Sequence, residues 1–312
     1  MGTGSGFGKT IFVGDAFLHF GAPAIVAGLA HSTVAEVSRQ SGGGWTLEDE
    51  RPEVEGYKLS KLEQQKNSIE RVARAMGVDL RKPGLRIRFR GDLLAGSGIG
   101  ASAAGCVALA RALNEEFDLR QSDAGINAAA LEGEKAYHGD PSGVDNTAST
   151  YGGILWFQRD ARTGQYEAES IKAGSHLDVV LANSGVNVDT SQVVAFKKRQ
   201  IAEHPEAYDA ALKATLEQAC GLRAAIGAAD KNAIGRLMDD HHHVLRQLHF
   251  SHDKIEGIVN LAHQEGALGA KVTGGGMGGY TLILAEDERH QGRISRTLQE
   301  NGFRVLSTRI MP

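Results

Sequence analysis

The chain has 312 residues, 41% hydrophobic and 23% charged, with a formal net charge of -4. That length supports a sizeable core in one large or two moderate domains, and the composition excludes the collagen-like and disordered classes. The mild acidity and the lack of a long basic run point away from nucleic acid as a partner, and no apolar run is long enough to span a bilayer.

Taken in chain order, Thr10 to Val13, Ala24 to Ala27 and Ser32 to Arg39 read as short strands, and Ser41 to Gly56 as a polar loop. Ser60 to Met76 carries Leu62, Ile69, Val72 and Met76 at helical spacing, which predicts an amphipathic helix. Gly84 to Phe89 alternates as a strand and leads into the glycine run Gly96-Ser97-Gly98-Ile99-Gly100-Ala101-Ser102. Ala103 to Leu113 is a small-residue helix, and Ser122 to Tyr137 a second helix with Ser122 as its N-cap. Val144 to Tyr151 reads as a short helix after Pro141 and Gly143. Gly153 to Gln158 and Leu177 to Ala182 read as strands. Helical pattern then dominates from Ser191 to Leu248 and recurs from Lys254 to Glu265. Two strands, Gly269 to Thr273 and Tyr280 to Leu284, flank a third glycine cluster; a helix from Glu288 to Asn301 and a strand from Phe303 to Thr308 close the chain.

This mixed, non-alternating order predicts an α+β fold with two domains, residues 1–186 and 187–312. Cys106 and Cys220 are far apart in apolar helical contexts, which predicts buried, reduced thiols and a reducing, cytoplasmic setting. The glycine-rich N-terminus lacks the apolar core of a secretory signal.

The run from Gly96 to Ser102 follows a strand and opens a helix. Glycines let backbone N–H groups approach an oxygen-rich ligand, and a helix N-terminus adds partial positive charge. It is not a Walker A loop, since no Lys-Ser/Thr pair follows, and its spacing departs from the dinucleotide fingerprint. Taken alone, the run is either a phosphate cradle or a tight strand-to-helix turn without a ligand.

Three further segments accompany it: Gly8-Lys9-Thr10-Ile11-Phe12-Val13-Gly14-Asp15-Ala16, then Gly133 to Asn146 with His138-Gly139-Asp140-Pro141-Ser142-Gly143-Val144-Asp145-Asn146, then Lys271-Val272-Thr273-Gly274-Gly275-Gly276-Met277-Gly278-Gly279. In content and order the four resemble the motifs of the GHMP kinase family, and within it the protozoan-type mevalonate kinases, over nearly the whole chain.

The resemblance implies a two-domain GHMP kinase fold, a mixed β/α N-terminal domain and a helix-rich C-terminal one, and ATP-dependent phosphorylation of mevalonate or a similar small acceptor. It implies that Gly96, Ser97, Gly98, Ile99, Gly100, Ala101 and Ser102, with Gly274, Gly275 and Gly276, bind the nucleotide. It places Ser102 and Glu134 as ligands of Mg²⁺, and Asp145 and Lys9 as catalytic residues. Asp15, Ala16, His19 and Thr190 fall on the acceptor side, and a homodimer is the candidate assembly. Read singly, Asp145 is equally an N-cap of a surface helix, Lys9 a solvated lysine and Thr190 a helix cap.

The pattern departs at one turn. The family's G-E-H reads Gly14-Asp15-Ala16 here, which shortens a carboxylate's reach and removes an imidazole, with His19 as a candidate substitute. Acceptors other than mevalonate, and a non-catalytic nucleotide sensor, are the alternatives this leaves. Finally, His241-His242-His243 cannot share one face of a helix, so the triplet predicts packed or solvated side chains in preference to a metal site.

Overall fold

The structure, a computed structural model, describes residues 1–82, 84–186 and 190–311, without the side chains of 190–192, 194, 195 and 198. By packing, the chain divides into two compact units, Met1–Lys9 with Gly28–Gly152 and Thr10–Ala27 with Gly153–Pro312. Strands β1 (Gly2–Val13) and β2 (Ala24–Gln40) each contribute to both.

In the first unit, Thr33–Gln40 of β2 pairs antiparallel with β4 (Gly84–Gly91), and β3 (Trp45–Asp49) lies parallel to β4. Helices α1 (Tyr57–Ser60), α2 (Leu62–Ala75), α3 (Ala101–Glu116), α4 (Asp123–His138) and α5 (Val144–Tyr151) complete it. Its core joins Val37, Leu85 and Ile87 of the sheet to Ile69 and Val72 of α2, Val107 and Leu113 of α3, and Ile126 of α4. Ser122 caps α4 as expected, its hydroxyl accepting the Gly125 N–H at 3.3 Å.

The N-terminal glycines are strand, an element that the sequence reading began only at Thr10. A Cβ on Gly2, Gly4 or Gly6 would lie 2.2, 2.4 or 2.3 Å from the carbonyl oxygen of Ala112, Ala108 or Ala104. Period-two glycines therefore face a period-four alanine stripe, and β1 lies directly on the α3 backbone.

In the second unit, Ala24–Ala27 of β2 pairs antiparallel with β5 (Ile154–Arg159), which pairs with β6 (Tyr166–Ser170). A second sheet has the order β10-β7-β9-β8, all antiparallel: β7 (Leu177–Asn183), β8 (Gly269–Val272), β9 (Tyr280–Leu284) and β10 (Arg304–Ile310). Helices α6 (Thr190–Glu203), α7 (Pro205–Gly227), α8 (Lys231–Gln247), α9 (Asp253–Gln264) and α10 (Glu288–Glu300) belong to this unit. Val180, Ile283, Leu245, Ile258 and Ile294 tie sheet and helices into one core.

Three expectations are corrected. The polar loop at 41–56 holds β3, two strands at 24–39 are one continuous β2, and Cys220 is exposed, although Cys106 is buried as expected. No helix among the described residues is long and apolar enough to cross a membrane.

Candidate active site

The glycine run is a loop that ends in a helix. Gly100, with φ of 76°, is the N-cap of α3, and Ser102 is the second residue of that helix, in its first turn. Gly96 and Gly98 also take positive φ, at 85° and 86°. The loop is held by its own chain: the Ser97 hydroxyl donates to the Leu94 carbonyl at 2.6 Å, and the Lys9 N–H donates to the Ile99 carbonyl at 2.9 Å. A Cβ on Gly100 would sit 2.7 Å from Lys9 Cγ, so glycine is required there by contact as well as by φ.

That contact places Lys9. Its side chain is 4% exposed and its Nζ lies 3.1 Å from Asp145 Oδ1. Asp145 stands in the first turn of α5, behind Gly143 at φ 89°. The helix is also fastened through its neighbour: Asn146 Nδ2 donates to Asn127 Oδ1 at 2.6 Å. Lys9 and Asp145, 136 positions apart in the sequence, thus form one pair.

Glu134 projects from α4 into the same unit and is 1% exposed. Burial holds its carboxyl above the ordinary range, and the nearby Asp145 charge adds to this; His138, the Ser102 hydroxyl that hydrogen-bonds it, and Lys9 oppose it. His138 Nε2 is 3.6 Å from Glu134 Oε2, one helical turn away. The sequence reading quoted this histidine within its motif but gave it no role, although its i, i+4 spacing from Glu134 was visible. Among the described residues no group of three or more histidine, cysteine or acidic side chains forms a metal cluster. One carboxylate beside one hydroxyl nonetheless suits Mg²⁺, which takes few protein ligands and completes its shell with water and phosphate.

In the second unit, Lys271 is fully buried and its Nζ lies 3.0 and 3.1 Å from the two Asp15 oxygens. Asp15 Oδ2 also accepts the Gly274 N–H at 2.8 Å, so this carboxylate fixes the start of the third glycine loop. Thr273 Oγ1 accepts the Ile11 N–H at 2.9 Å. Ala16 is 3% exposed in the apolar cluster with Phe17 and Tyr208. His19 is exposed and contacts Arg159. Thr190 begins α6, and its side chain lies outside the described residues.

The three histidines diverge as their spacing predicts. His241 Nε2 accepts the Gly14 N–H at 3.2 Å and its Nδ1 meets Gln218 Oε1 at 2.8 Å. His242 Nε2 meets Glu256 Oε1 at 3.0 Å, and His243 faces Arg246. Burial drives the His241 pKa well below the ordinary value, with Lys271 adding to the effect, so its ring is neutral.

Comparison with known proteins places these features in context. The family model for the GHMP kinases N terminal domain matches residues 66–153, and that for GHMP kinases C terminal matches 222–303. A mevalonate kinase of Thermococcus sibiricus is 26% identical over 97% of this chain and 94% of its own length. One of Arabidopsis thaliana is 29% identical over 70% of this chain, and the match spans 61% of that relative's length. The crystal structure of L. major mevalonate kinase in complex with R-mevalonate superposes with a TM-score of 0.93 at 33% identity, covering 100% of this chain and 96% of the other.

Proposed function

The chain belongs to the GHMP kinase family, and from that premise we propose that it is an ATP-dependent kinase transferring the γ-phosphoryl group to the primary hydroxyl of mevalonate, giving phosphomevalonate. The observation that carries the proposal is the Lys9–Asp145 pair at 3.1 Å beside a glycine loop that ends in the first turn of α3.

Phosphoryl transfer asks a protein to hold the phosphates and to receive the acceptor's proton. The backbone N–H groups between Gly96 and Ser102 bind the phosphate oxygens, helped by the positive end of α3. Asp145 accepts the proton from the acceptor hydroxyl at its carboxylate, and 30% exposure leaves it reachable. Lys9 keeps that carboxylate oriented and offsets negative charge as the alkoxide develops. The Ser102 hydroxyl and the Glu134 carboxylate would hold Mg²⁺, which neutralises phosphate charge when bound. A buried carboxylate held above its usual pKa is a group that gains from a cation.

Asp15 and Lys271 shape the acceptor-side turn in this reading, with Ala16 and His19 beside it in sequence, and Thr190 is assigned to the acceptor side as well. Residues 1–186 and 187–312 are taken as the two functional domains, and the assembly as a homodimer. The test is steady-state turnover: purified protein with MgATP should convert mevalonate to a monophosphate with one ADP released per product. ATP consumption with sugar alcohols or phosphomevalonate but not mevalonate would replace the acceptor in this reading.

A further inference from the structure

Asn127 is a buried amide within α4 that the mechanism above does not use. Asparagine is a poor helix former, and an amide taken out of water costs free energy unless it finds partners. Four of its hydrogen bonds reach α5. Asn127 Oδ1 accepts from Asn146 Nδ2 at 2.6 Å, and the Asn127 main-chain carbonyl accepts from the same nitrogen at 3.3 Å. Asn127 Nδ2 donates to Thr147 Oγ1 at 3.4 Å, and the Thr150 hydroxyl lies 3.5 Å from Asn127 Oδ1.

These bonds bracket Asp145. The Thr147 hydroxyl that Asn127 meets donates in turn to the Gly143 carbonyl at 2.6 Å, and Gly143 is the N-cap of α5, two residues before Asp145. Asn146 follows Asp145 directly. Among the described residues, both hydrogen bonds of its amide nitrogen go to Asn127, while its Oδ1 has no partner. Helix α5 has only eight residues, and Val144 and Ala148 are the apolar side chains it buries. So short a helix does not hold itself, and two small apolar groups seat it weakly, so the polar links to α4 set its position.

Glu134 stands two turns after Asn127 on the same buried face of α4. One helix therefore carries both the proposed metal carboxylate and the anchor for the proposed proton acceptor. Lys9 holds the Asp145 side chain from the phosphate-loop side. We infer that Asn127 is a positioning residue for phosphoryl transfer: through Asn146 and Thr147 it sets where Asp145 stands relative to Glu134. The inference rests on the kinase reading above, which it deepens by assigning a residue that acts only through others.

The experiment measures kcat, the KM for ATP and the Mg²⁺ concentration at half-maximal activity for Asn127→Ala and Asn146→Ala, each made in wild type and in Asp145→Asn. Radiolabelled ATP gives the sensitivity that the slow background needs. A misplacement of about 1 Å costs on the order of 10²-fold in rate, so both single variants should lose kcat roughly tenfold to a hundredfold. Their KM for ATP and their Mg²⁺ requirement should stay within about threefold of wild type, since binding groups are not displaced. In the Asp145→Asn background either substitution should cost less than about threefold more, because no proton acceptor is left to position. A general loss of packing would instead repeat its full cost there. If Asn127→Ala does not fold, Asn146→Ala carries the same prediction, since it removes the same bonds from the other side. Unchanged kcat in the single variants, a full loss repeated in the Asp145→Asn background, or a loss that saturating Mg²⁺ restores would each overturn the assignment. Wild type is assayed first: its failure to turn over mevalonate defeats the functional reading, whereas wild-type turnover with unaffected variants defeats only the role of Asn127.

Discussion

Lys9 and Asp145 meet at 3.1 Å with unequal burial, the lysine 4% and the aspartate 30% exposed. The asymmetry separates their roles. A carboxylate that keeps contact with solvent can exchange a proton with a bound hydroxyl, whereas an enclosed ammonium is held in one place and shapes the field around it.

Asp145→Asn should lower kcat by about 10²- to 10⁴-fold, the weight of a proton-accepting group, with the KM for ATP within a few-fold of wild type. It should also lower stability by about 1–2 kcal/mol, because it leaves the buried Lys9 without its anion; the value is discounted because Asp145 is partly solvated. Lys9→Met leaves a partly solvated carboxylate instead and should be the more stable of the two variants. Denaturant melts of the pair, with equal stabilities as the contrary result, decide this.

Glu134→Gln should stabilise the metal-free protein and damage the enzyme. Burial opposes ionisation of this carboxyl, so a neutral amide of the same shape relieves a cost that the apoprotein carries at neutral pH. The expected outcome is a higher Tm without metal, together with a higher Mg²⁺ concentration at half-maximal activity. An unchanged Mg²⁺ requirement would remove Glu134 from the metal's ligands.

Gly98→Ala and Gly100→Ala separate backbone strain from displacement of the lysine. Both positions hold positive φ, which costs a non-glycine residue about 1–2 kcal/mol. A Cβ at 98 meets open space, while one at 100 meets Lys9 Cγ at 2.7 Å. Both variants should lose stability, but Gly100→Ala should in addition lose kcat. Equal kcat values in the two would show that the loop does not position Lys9.

His241 gives the fold a pH dependence. Its pKa is depressed in the folded protein, so below about 6.5 the unfolded chain binds the proton that the native chain refuses. Stability should therefore be full above about pH 6.5 and fall below it, by up to about 1.4 kcal/mol per pH unit until the native pKa is reached. His242, also depressed chiefly by burial, adds to the same trend. Urea melts between pH 7.5 and 5.5 should show a smaller fall for His241→Gln; identical falls would assign the trend to other groups.

The loop and its helix were legible because glycines in a run, followed by small residues, have a single local explanation, and Ser122 announced its cap in the same way. β3 was not legible: Glu48 faces Arg86 on the sheet surface, so polarity read as loop where it marks an exposed strand face. The continuous β2 was hidden by Gly28, whose missing Cβ is needed because Gly152 Cα would lie 2.7 Å away. Asp15 and Lys271 are 256 positions apart, and no local pattern announces a buried pair formed across such a distance. Ala16 stands where the family pattern has an imidazole, and it packs at 3% exposure in the apolar cluster with Phe17, a burial that no local pattern announced.

The most direct test of the account is acceptor-dependent ADP release by the purified protein with MgATP, comparing R-mevalonate with galactose, phosphomevalonate and no acceptor. The account predicts turnover with R-mevalonate that is lost in Asp145→Asn, with the phosphoryl group found on the primary hydroxyl by phosphorus NMR. ADP release that is indifferent to mevalonate, or that survives intact in Asp145→Asn, would contradict it.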